Sequence, residues 1–304
     1  LGTLFPYTTL FRSTLAEIRE LLDQAGMHPR KQFGQCFLFD KNLLGKLLEL
    51  ADLSGDQTVL EVGPGTGTLT EELLDRAGRV VAAEIDRDLC RLLRRRLGGR
   101  DNFHLIEGDV LAGKHAIAPK VLAAVDPRAN LVSNLPYNIA TPLVAECLLC
   151  SWRSLHAPET RFERLVVTVQ QEVAERFAAP PGSGAYGPIS VLAALLATVT
   201  AGPIVPATSF WPRPKVASRI VRFDFDPARA AALRSADVLQ QVLTMVFGQR
   251  RKQIHSAARR RDGFVDADRF SGALAEAGVD PASRPEEITP EQYLRLANAL
   301  SDRP

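Results

Sequence analysis

Short runs of β-branched and apolar residues alternate with longer helical patterns from residue 58 to residue 225. This alternation is typical of a parallel sheet covered by helices. The predicted strands are 58–62, 80–84, 103–107, 130–133, 165–170, 198–205 and 217–225, and the predicted helices are 67–77, 87–97, 141–151, 171–178 and 188–197. Seven strands predict one doubly wound α/β domain.

Both ends of the chain depart from this pattern. After Asp226-Pro227 the sequence predicts helices over 230–260 and 265–300, broken by Gly263, Gly278 and the stretch 281–290. We therefore place a domain boundary near residue 226, between an α/β domain (14–226) and a smaller all-helical domain (227–304). Residues 1–13 have no initiator Met, basic start or cleavage site, unlike a signal peptide. They resemble translated adapter or vector sequence, and we expect them to be a disordered or loosely packed non-native extension.

Composition narrows the class of protein. Hydrophobic residues make up 46% and charged residues 24%, as in globular domains, and the longest apolar run, 189–201, is too short to span a bilayer. Four cysteines do not make a disulfide framework, which favours a reducing cytoplasm. Cys147 and Cys150 have no partner pair at zinc spacing, so we interpret them as buried helix residues and predict no metal site; a metal or redox role is the alternative.

A glycine-rich loop, Glu61-Val62-Gly63-Pro64-Gly65-Thr66-Gly67, connects the first predicted strand to a helix. In this context the glycine backbone approaches a cofactor closely. The spacing G-x-G-x-G, preceded by an acid, differs from the G-x-G-x-x-G that binds a pyrophosphate. It suits a ligand with a cationic centre and an amino-acid moiety, such as S-adenosylmethionine; a glycine turn without a ligand is the alternative.

Polar residues also follow the next three strands, at Glu84, Asp109 and Asn134, in steps of 23, 25 and 25 residues from Glu61. Ligands bind outside the carboxyl ends of parallel strands, so these side chains are expected to converge on one crevice. Glu84 would accept hydrogen bonds from ribose hydroxyls, and Asp109 from an adenine amino group. Individually, each could instead be a helix cap or a solvated carboxylate.

The sequence Asn134-Leu135-Pro136-Tyr137 ends the fourth strand of the series and suits methylation of an exocyclic amine. The Asn134 side-chain oxygen and the carbonyl of Leu135 or Pro136 would accept both N6 protons of an adenine, which localises the lone pair on nitrogen. Tyr137 offers a face on which an extruded base stacks. Such a methyl transfer requires neither a metal nor a strong base. The alternative interpretation of these four residues is a tight turn after a strand, with Tyr137 as a packing residue.

With these motifs in order, the chain resembles the ribosomal RNA adenine dimethyltransferases, specifically those that dimethylate two adjacent adenines near the 3′ end of small-subunit RNA. The resemblance covers about residues 28 to 300. Its seven stretches are 30–38, 59–70, 134–141, 170–174, 210–216, 247–252 and 284–286. It implies a seven-stranded Rossmann-like methyltransferase domain with a helical RNA-binding domain, acting in ribosome biogenesis.

The resemblance also implies site residues. The methyl-donor contacts would be Cys36, Leu38, Gly63, Gly65, Glu84, Asp109 and Asn134, and the base pocket Asn134, Leu135, Pro136 and Tyr137, with Phe210 as a second stacking face. Cys36 stands where the family pattern has Asn. A thiol is a weaker donor and acceptor than an amide, so cofactor affinity falls if that side chain holds the cofactor, but changes little if the backbone does.

Charge is concentrated in one region: residues 210–264 contain 12 Lys or Arg and 4 acids, although the whole chain carries only +2. Such a surface suits a polyanion. The candidate RNA contacts are Lys215, Arg250, Arg251, Lys252, Arg259 and Arg260, with a solvated surface as the alternative.

Three other functions compete with this hypothesis. They are the large-subunit adenine methyltransferases that confer macrolide resistance, a non-catalytic RNA-binding assembly or transcription factor on the same fold, and a small-molecule N-methyltransferase, which would not need the basic region. We expect a monomer, because no heptad pattern is present.

Overall fold

The described part of the chain contains nine β-strands. In a computed structural model, residues 14–30, 34–113, 116–259 and 264–301 are described, so the predicted extension over 1–13 lies outside them. The strands are β1 (Phe37–Leu38), β2 (Thr58–Val62), β3 (Arg79–Glu84), β4 (Phe103–Glu107), β5 (Arg128–Asn134), β6 (Arg161–Gln170), β7 (Ala197–Val205), β8 (Phe210–Trp211) and β9 (Ser218–Phe225). All seven predicted strands are confirmed; the sequence pattern does not predict the short β1 and β8.

The seven long strands form one sheet in the order β4-β3-β2-β5-β6-β9-β7, and the α/β Rossmann-like fold class is confirmed. The strands from β2 to β6 pair in parallel, whereas β9 is antiparallel to both β6 and β7. The prediction of a parallel sheet is therefore wrong at β9, which runs antiparallel to both of its neighbours. A parallel pair requires a long crossover connection, and the segment between β7 and β9 contains only a short 3₁₀ turn and β8.

Helices cover the sheet and make up the C-terminal region. They are α1 (Leu15–Gln24), α2 (Lys41–Ala51), α3 (Thr68–Leu74), α4 (Arg87–Leu97), α5 (Pro119–Leu122), α6 (Ala140–Arg153), α7 (Gln171–Phe177), α8 (Pro188–Leu196), α9 (Pro227–Ala230), α10 (Ala236–Phe247), α11 (Ala267–Glu276) and α12 (Pro290–Ser301). The five predicted helices between strands are confirmed. Over the described residues, no helix is long and apolar enough to cross a membrane.

The C-terminal helices share an apolar core with the sheet. One buried cluster extends from Leu60 on β2 through α6 and α8 to Leu300 on α12. Hydrogen bonds add to this packing: the buried Tyr186 hydroxyl donates to the carbonyl of Ile288 at 2.8 Å. The division into two domains near residue 226 stays a prediction, and the packing across it is continuous.

A small ribbon covers the carboxyl edge of the sheet. Strand β1 pairs antiparallel with β8, so that Phe37 lies opposite Trp211 and Leu38 opposite Phe210. Helix α1 packs Ile18 against Phe37 and the apolar face of α4. This packing holds residues 34–39 over the ends of the central strands.

Candidate active site

A cavity of about 320 Å³ opens at the carboxyl ends of β2, β3 and β5, beneath the ribbon. It is lined by ten residues that the sequence singles out: Cys36, Leu38, Gly63, Gly65, Glu84, Asp109, Asn134, Leu135, Pro136 and Tyr137. Glu61 lines it as well. The structure therefore brings the glycine loop, the polar strand ends and the Asn134–Tyr137 segment together in one place.

The glycine loop approaches its neighbours too closely for any side chain. Gly63 and Gly65 have φ of +68° and +62°, in the left-handed region. A Cβ on Gly65 would lie 2.8 Å from the Phe37 ring, and one on Gly63 would lie 3.1 Å from Cγ of Pro136. Glycine is therefore required here both for the turn and for contact with the two segments that enclose the cavity.

We expect Gly65→Ala to weaken cofactor binding and to lower the free energy of unfolding by about 2 kcal/mol, because a left-handed alanine is strained and its methyl group displaces the Phe37 ring. Urea denaturation and calorimetric binding measure the two effects. Gly55→Ala is the control, because nothing lies within 4 Å of its Cβ position and its φ is not positive. Equal stability and affinity in Gly65→Ala and the wild type would contradict this account of the loop.

Two buried carboxyl groups lie in the cavity wall. Glu84 is 4% exposed and accepts hydrogen bonds from the backbone N–H of Gly65 at 3.3 Å and of Asp86 at 2.9 Å. Burial raises its pKa to about 7 despite these bonds. Glu61 is 2% exposed, its Oε2 has no hydrogen-bond partner among the described residues, and burial, with a contribution from Glu84, raises its pKa to about 8.

These raised pKa values predict a pH dependence of stability. Between its ordinary pKa of 4.5 and its folded pKa of about 7, Glu84 binds more protons in the folded chain than in the unfolded chain. The free energy of unfolding of the cofactor-free protein therefore falls as pH rises from about 5 to 8, by up to about 3 kcal/mol from this group. Urea denaturation across this range measures it. Glu84→Gln is expected to make the profile less steep, with the contribution of Glu61 remaining, and an identical slope in that variant would refute the assignment.

Asn134 is held by the backbone of residue 36. Its side-chain Nδ2 donates to the carbonyl oxygen of Cys36 at 3.0 Å, and its Oδ1 is buried with no hydrogen-bond partner among the described residues. Burial raises the pKa of the Cys36 thiol, so the side chain is neutral at physiological pH. In this contact the position that departs from the family pattern acts through its backbone.

The residues after Asn134 form a braced turn. The carbonyl of Pro136 accepts a hydrogen bond from the N–H of Ile139 at 3.2 Å and so closes the turn. The carbonyl of Leu135 takes no part in the turn. The Tyr137 hydroxyl is 2.9 Å from Oγ of Ser218, the first residue of β9. The ring is therefore fixed at the cavity from its far end.

Some predicted residues lie elsewhere, and one contact was not predicted. Phe210, the predicted second stacking face, is 3% exposed and does not line the cavity; it packs in an apolar cluster with Leu38 and Leu44, which do line it. Ile85, by contrast, lines the cavity and is 46% exposed. Its position directly after the acid that ends β3 is the signal that identifies it.

The predicted RNA contacts differ in their surroundings. Arg250 donates to the carbonyl oxygens of Ser183 and Gly184 and lies 3.7 Å from Glu286, so it joins the α7–α8 loop to the C-terminal region. Lys215, Arg251 and Lys252 are exposed. Arg260 and the side chain of Arg259 lie outside the described residues.

The cysteine pair of α6 is internal. Cys147 and Cys150 are both fully buried, and the Cys150 thiol donates to the carbonyl of Thr160 at 3.2 Å. Over the described ranges, no cluster of three or more His, Cys, Asp or Glu side chains is arranged to hold a metal ion.

Comparison with known proteins places this site in a family. The sequence model of the ribosomal RNA adenine dimethylase family matches residues 26–302. The chain belongs to the ribosomal RNA adenine dimethylase family. It is 39% identical over 280 residues to ribosomal RNA small subunit methyltransferase A of Synechococcus sp. (strain JA-3-3Ab), covering 91% of this chain and 94% of that one. The protein of the same name from Phenylobacterium zucineum is 39% identical over 288 residues, covering 94% and 93%.

Solved structures of dimethylases and related enzymes share the fold. A dimethyladenosine transferase from Plasmodium falciparum has a TM-score of 0.67 at 25% identity, covering 86% of this chain and 95% of that one. The 23S rRNA methyltransferase ErmE has a TM-score of 0.59 at 28% identity, covering 88% and 100%.

Proposed function

We propose that this dimethylase transfers methyl groups from S-adenosylmethionine to N6 of two adjacent adenines near the 3′ end of small-subunit rRNA, forming N6,N6-dimethyladenosine during ribosome biogenesis. The observation that carries the proposal is the Asn134 side chain. Its amide nitrogen is occupied by the Cys36 carbonyl, and its buried oxygen is left as an acceptor at the cavity. We further propose that the protein acts as a monomer in the cytoplasm.

The residues in the cavity fit the methyl donor. Glu84 would accept hydrogen bonds from the ribose, and the exposed Asp109, whose Oδ1 already accepts the N–H of Leu111 at 2.9 Å, would accept from the adenine amino group. The unpartnered Oε2 of Glu61 suits a cationic group, which would also favour its ionised form. Gly63 and Gly65 let the loop pack directly against Pro136 and Phe37, which also line the cavity. When bound, S-adenosylmethionine supplies a methyl group already activated by a sulfonium.

The chain contributes acceptors, a stacking face and orientation. The Asn134 Oδ1 and the Leu135 carbonyl would accept the two N6 protons of the target adenine. These hydrogen bonds oppose delocalisation of the nitrogen lone pair into the ring, so the nitrogen becomes a better nucleophile. Tyr137, braced by Ser218, holds the base in line with the methyl group. Positioning of this kind accounts for much of the barrier reduction in group transfer.

The small-subunit substrate is supported over the alternatives by several observations. The curated relatives, at 39% identity over most of the chain, are named for the small subunit, whereas ErmE, named for 23S rRNA, is 28% identical. The arrangement of Asn134 argues against a non-catalytic protein, because an RNA-binding factor does not need an unpartnered acceptor at a buried position. The exposed Lys215, Arg251 and Lys252 argue against a small-molecule substrate.

Methyl transfer from labelled S-adenosylmethionine to small ribosomal subunits lacking these methyl groups tests the proposal. Nucleoside mapping should find two dimethyladenosines near the 3′ end, and large subunits should remain unlabelled. Labelling of large subunits alone would support the ErmE-like alternative. Tight subunit binding without transfer would support the non-catalytic one. RNA binding should weaken steeply with salt through counterion release, which a small-molecule enzyme would not show.

A further inference from the structure

We propose that Val216 positions the RNA substrate. Its side chain packs against the base stack beside the target adenine and occupies the space that the extruded base leaves. This inference rests on the proposed function, because it concerns how the target base reaches the pocket formed by Asn134 and Tyr137. Val216 is an exposed apolar side chain, and the fold does not explain its exposure.

The loop that carries Val216 is anchored at both ends to the active site. On one side it follows β8, which pairs with the cavity-lining β1. On the other side, Ser218 contacts the Tyr137 hydroxyl at 2.9 Å, and the carbonyl of Ala217 accepts the N–H of Gln171 at 3.0 Å. Residues 212–217 therefore cannot move far without disturbing the braced tyrosine.

Strand register places this loop beyond the carboxyl edge of the sheet, the edge at which the cavity opens. Asn134 pairs with Thr168 on β6, and Ser218 pairs with Gln170, the last residue of the same strand. Since β9 begins at Ser218 and runs antiparallel to β6, the residues before it extend beyond the carboxyl edge of the sheet. Strand β9 lies two strands away from β5, about 10 Å across the sheet at ordinary strand spacing, and Val216 lies two residues beyond the start of β9 on the same side of the sheet edge as the cavity.

The chemistry of the loop suits a nucleic-acid strand. Val216 is 45% exposed, one of only four exposed large apolar residues in the part of the chain that the structure describes, and the others are Ile85, Ile204 and Phe264. The nearby Arg213 and Lys215 are exposed, and none of the ion pairs found among the described residues involves either of them. An apolar side chain directly after two cations matches the way proteins insert apolar wedges into stacked bases while neutralising phosphates.

Extruding a base requires unstacking, which costs a few kcal/mol unless another group replaces the lost contact. A valine at the pocket mouth replaces part of that contact at the moment when Tyr137 receives the adenine. Its effect should therefore appear in base extrusion and in methyl transfer, and not in cofactor binding or in the overall affinity for RNA, which the cations dominate.

The test compares Val216→Ala and Val216→Leu with the matched control Ile204→Ala, which removes an equally exposed apolar side chain (50%) from the edge strand β7. The first readout is fluorescence of a small-subunit RNA fragment with 2-aminopurine at the target adenine. The second is the single-turnover rate of methyl transfer to small subunits. We expect Val216→Ala to reduce the fluorescence gain on binding and to slow transfer about tenfold, with the dissociation constants for RNA and S-adenosylmethionine within about twofold of wild type. Val216→Leu and Ile204→Ala should behave as wild type.

Unchanged fluorescence and rate in Val216→Ala would overturn the proposal. So would a rate loss fully explained by weaker RNA binding, or an equal loss in Ile204→Ala. Because the fluorescence signal does not depend on methyl transfer, it separates this proposal from the proposed function. A wild-type protein that extrudes the base but makes no dimethyladenosine would refute the function, and a reduced fluorescence gain in Val216→Ala would still support the role of Val216.

Discussion

We expect Asn134→Ala to lower the single-turnover rate of methyl transfer by about 10²–10³-fold, the range found when one preorganised hydrogen-bonding group is removed from an active site. The wild-type amide donates to the Cys36 carbonyl at 3.0 Å, which fixes its orientation, and its Oδ1 has no other partner in the described structure. Alanine removes the acceptor, so the adenine nitrogen keeps its lone pair delocalised. Labelled transfer to unmethylated small subunits measures the rate.

Two further measurements make this expectation specific. Asn42→Ala serves as the matched control, because Asn42 is an exposed asparagine at the start of α2, away from the cavity lining. Isothermal titration of S-adenosylmethionine shows whether the variant still binds the donor. A rate loss matched by an equal loss of donor affinity would assign Asn134 to cofactor binding alone and contradict its role at the target amine.

The second large effect is expected for Glu84→Gln, which should raise the dissociation constant for S-adenosylmethionine by about 10- to 100-fold, since hydrogen bonds to a charged group contribute about 1.5–3 kcal/mol. The carboxylate is buried, and backbone N–H groups of Gly65 and Asp86 already orient its two oxygens. Glutamine has the same shape but loses the charge and one acceptor. Titration calorimetry at about pH 8, where the Glu84 carboxyl is largely ionised, measures the change.

Glu107→Gln is a close control for this variant. Glu107 ends the neighbouring strand and pairs with Glu84 in the sheet register, but its carboxylate lies 3.0 Å from Arg94, outside the cavity lining. It should bind the donor as wild type does. The two predictions for Glu84→Gln also have opposite signs: the cofactor-free variant loses affinity but gains stability at the upper end of the pH range. Loss of both would indicate general damage to the fold.

Local sequence was sufficient for the elements and for the convergence of the polar strand ends. The period of apolar residues predicted seven strands, and polar residues at the ends of β2, β3 and β5, with Asp109 just after β4, predicted that their side chains meet in one crevice, as they do in the cavity lining. Both inferences succeed because they depend on properties that every βα unit repeats: side chains alternate along a strand, and the carboxyl ends of parallel strands meet at one edge. Helix α1 and the β1–β8 ribbon lack such a repeat.

The tertiary structure decided which partners each side chain meets. It buried Phe210 in an apolar cluster, so that this ring does not line the cavity. It also bound Arg250 to the α7–α8 loop, placed Ile85 in the cavity lining and made β9 antiparallel to its neighbours. It also showed that residue 36 holds Asn134 through its backbone carbonyl. These contacts join residues far apart in the chain. The sequence by itself determined the α/β fold class, the family resemblance and the carboxyl edge of the sheet as the place of the candidate site. The orientation and burial of each side chain depended on long-range packing, which local patterns do not encode.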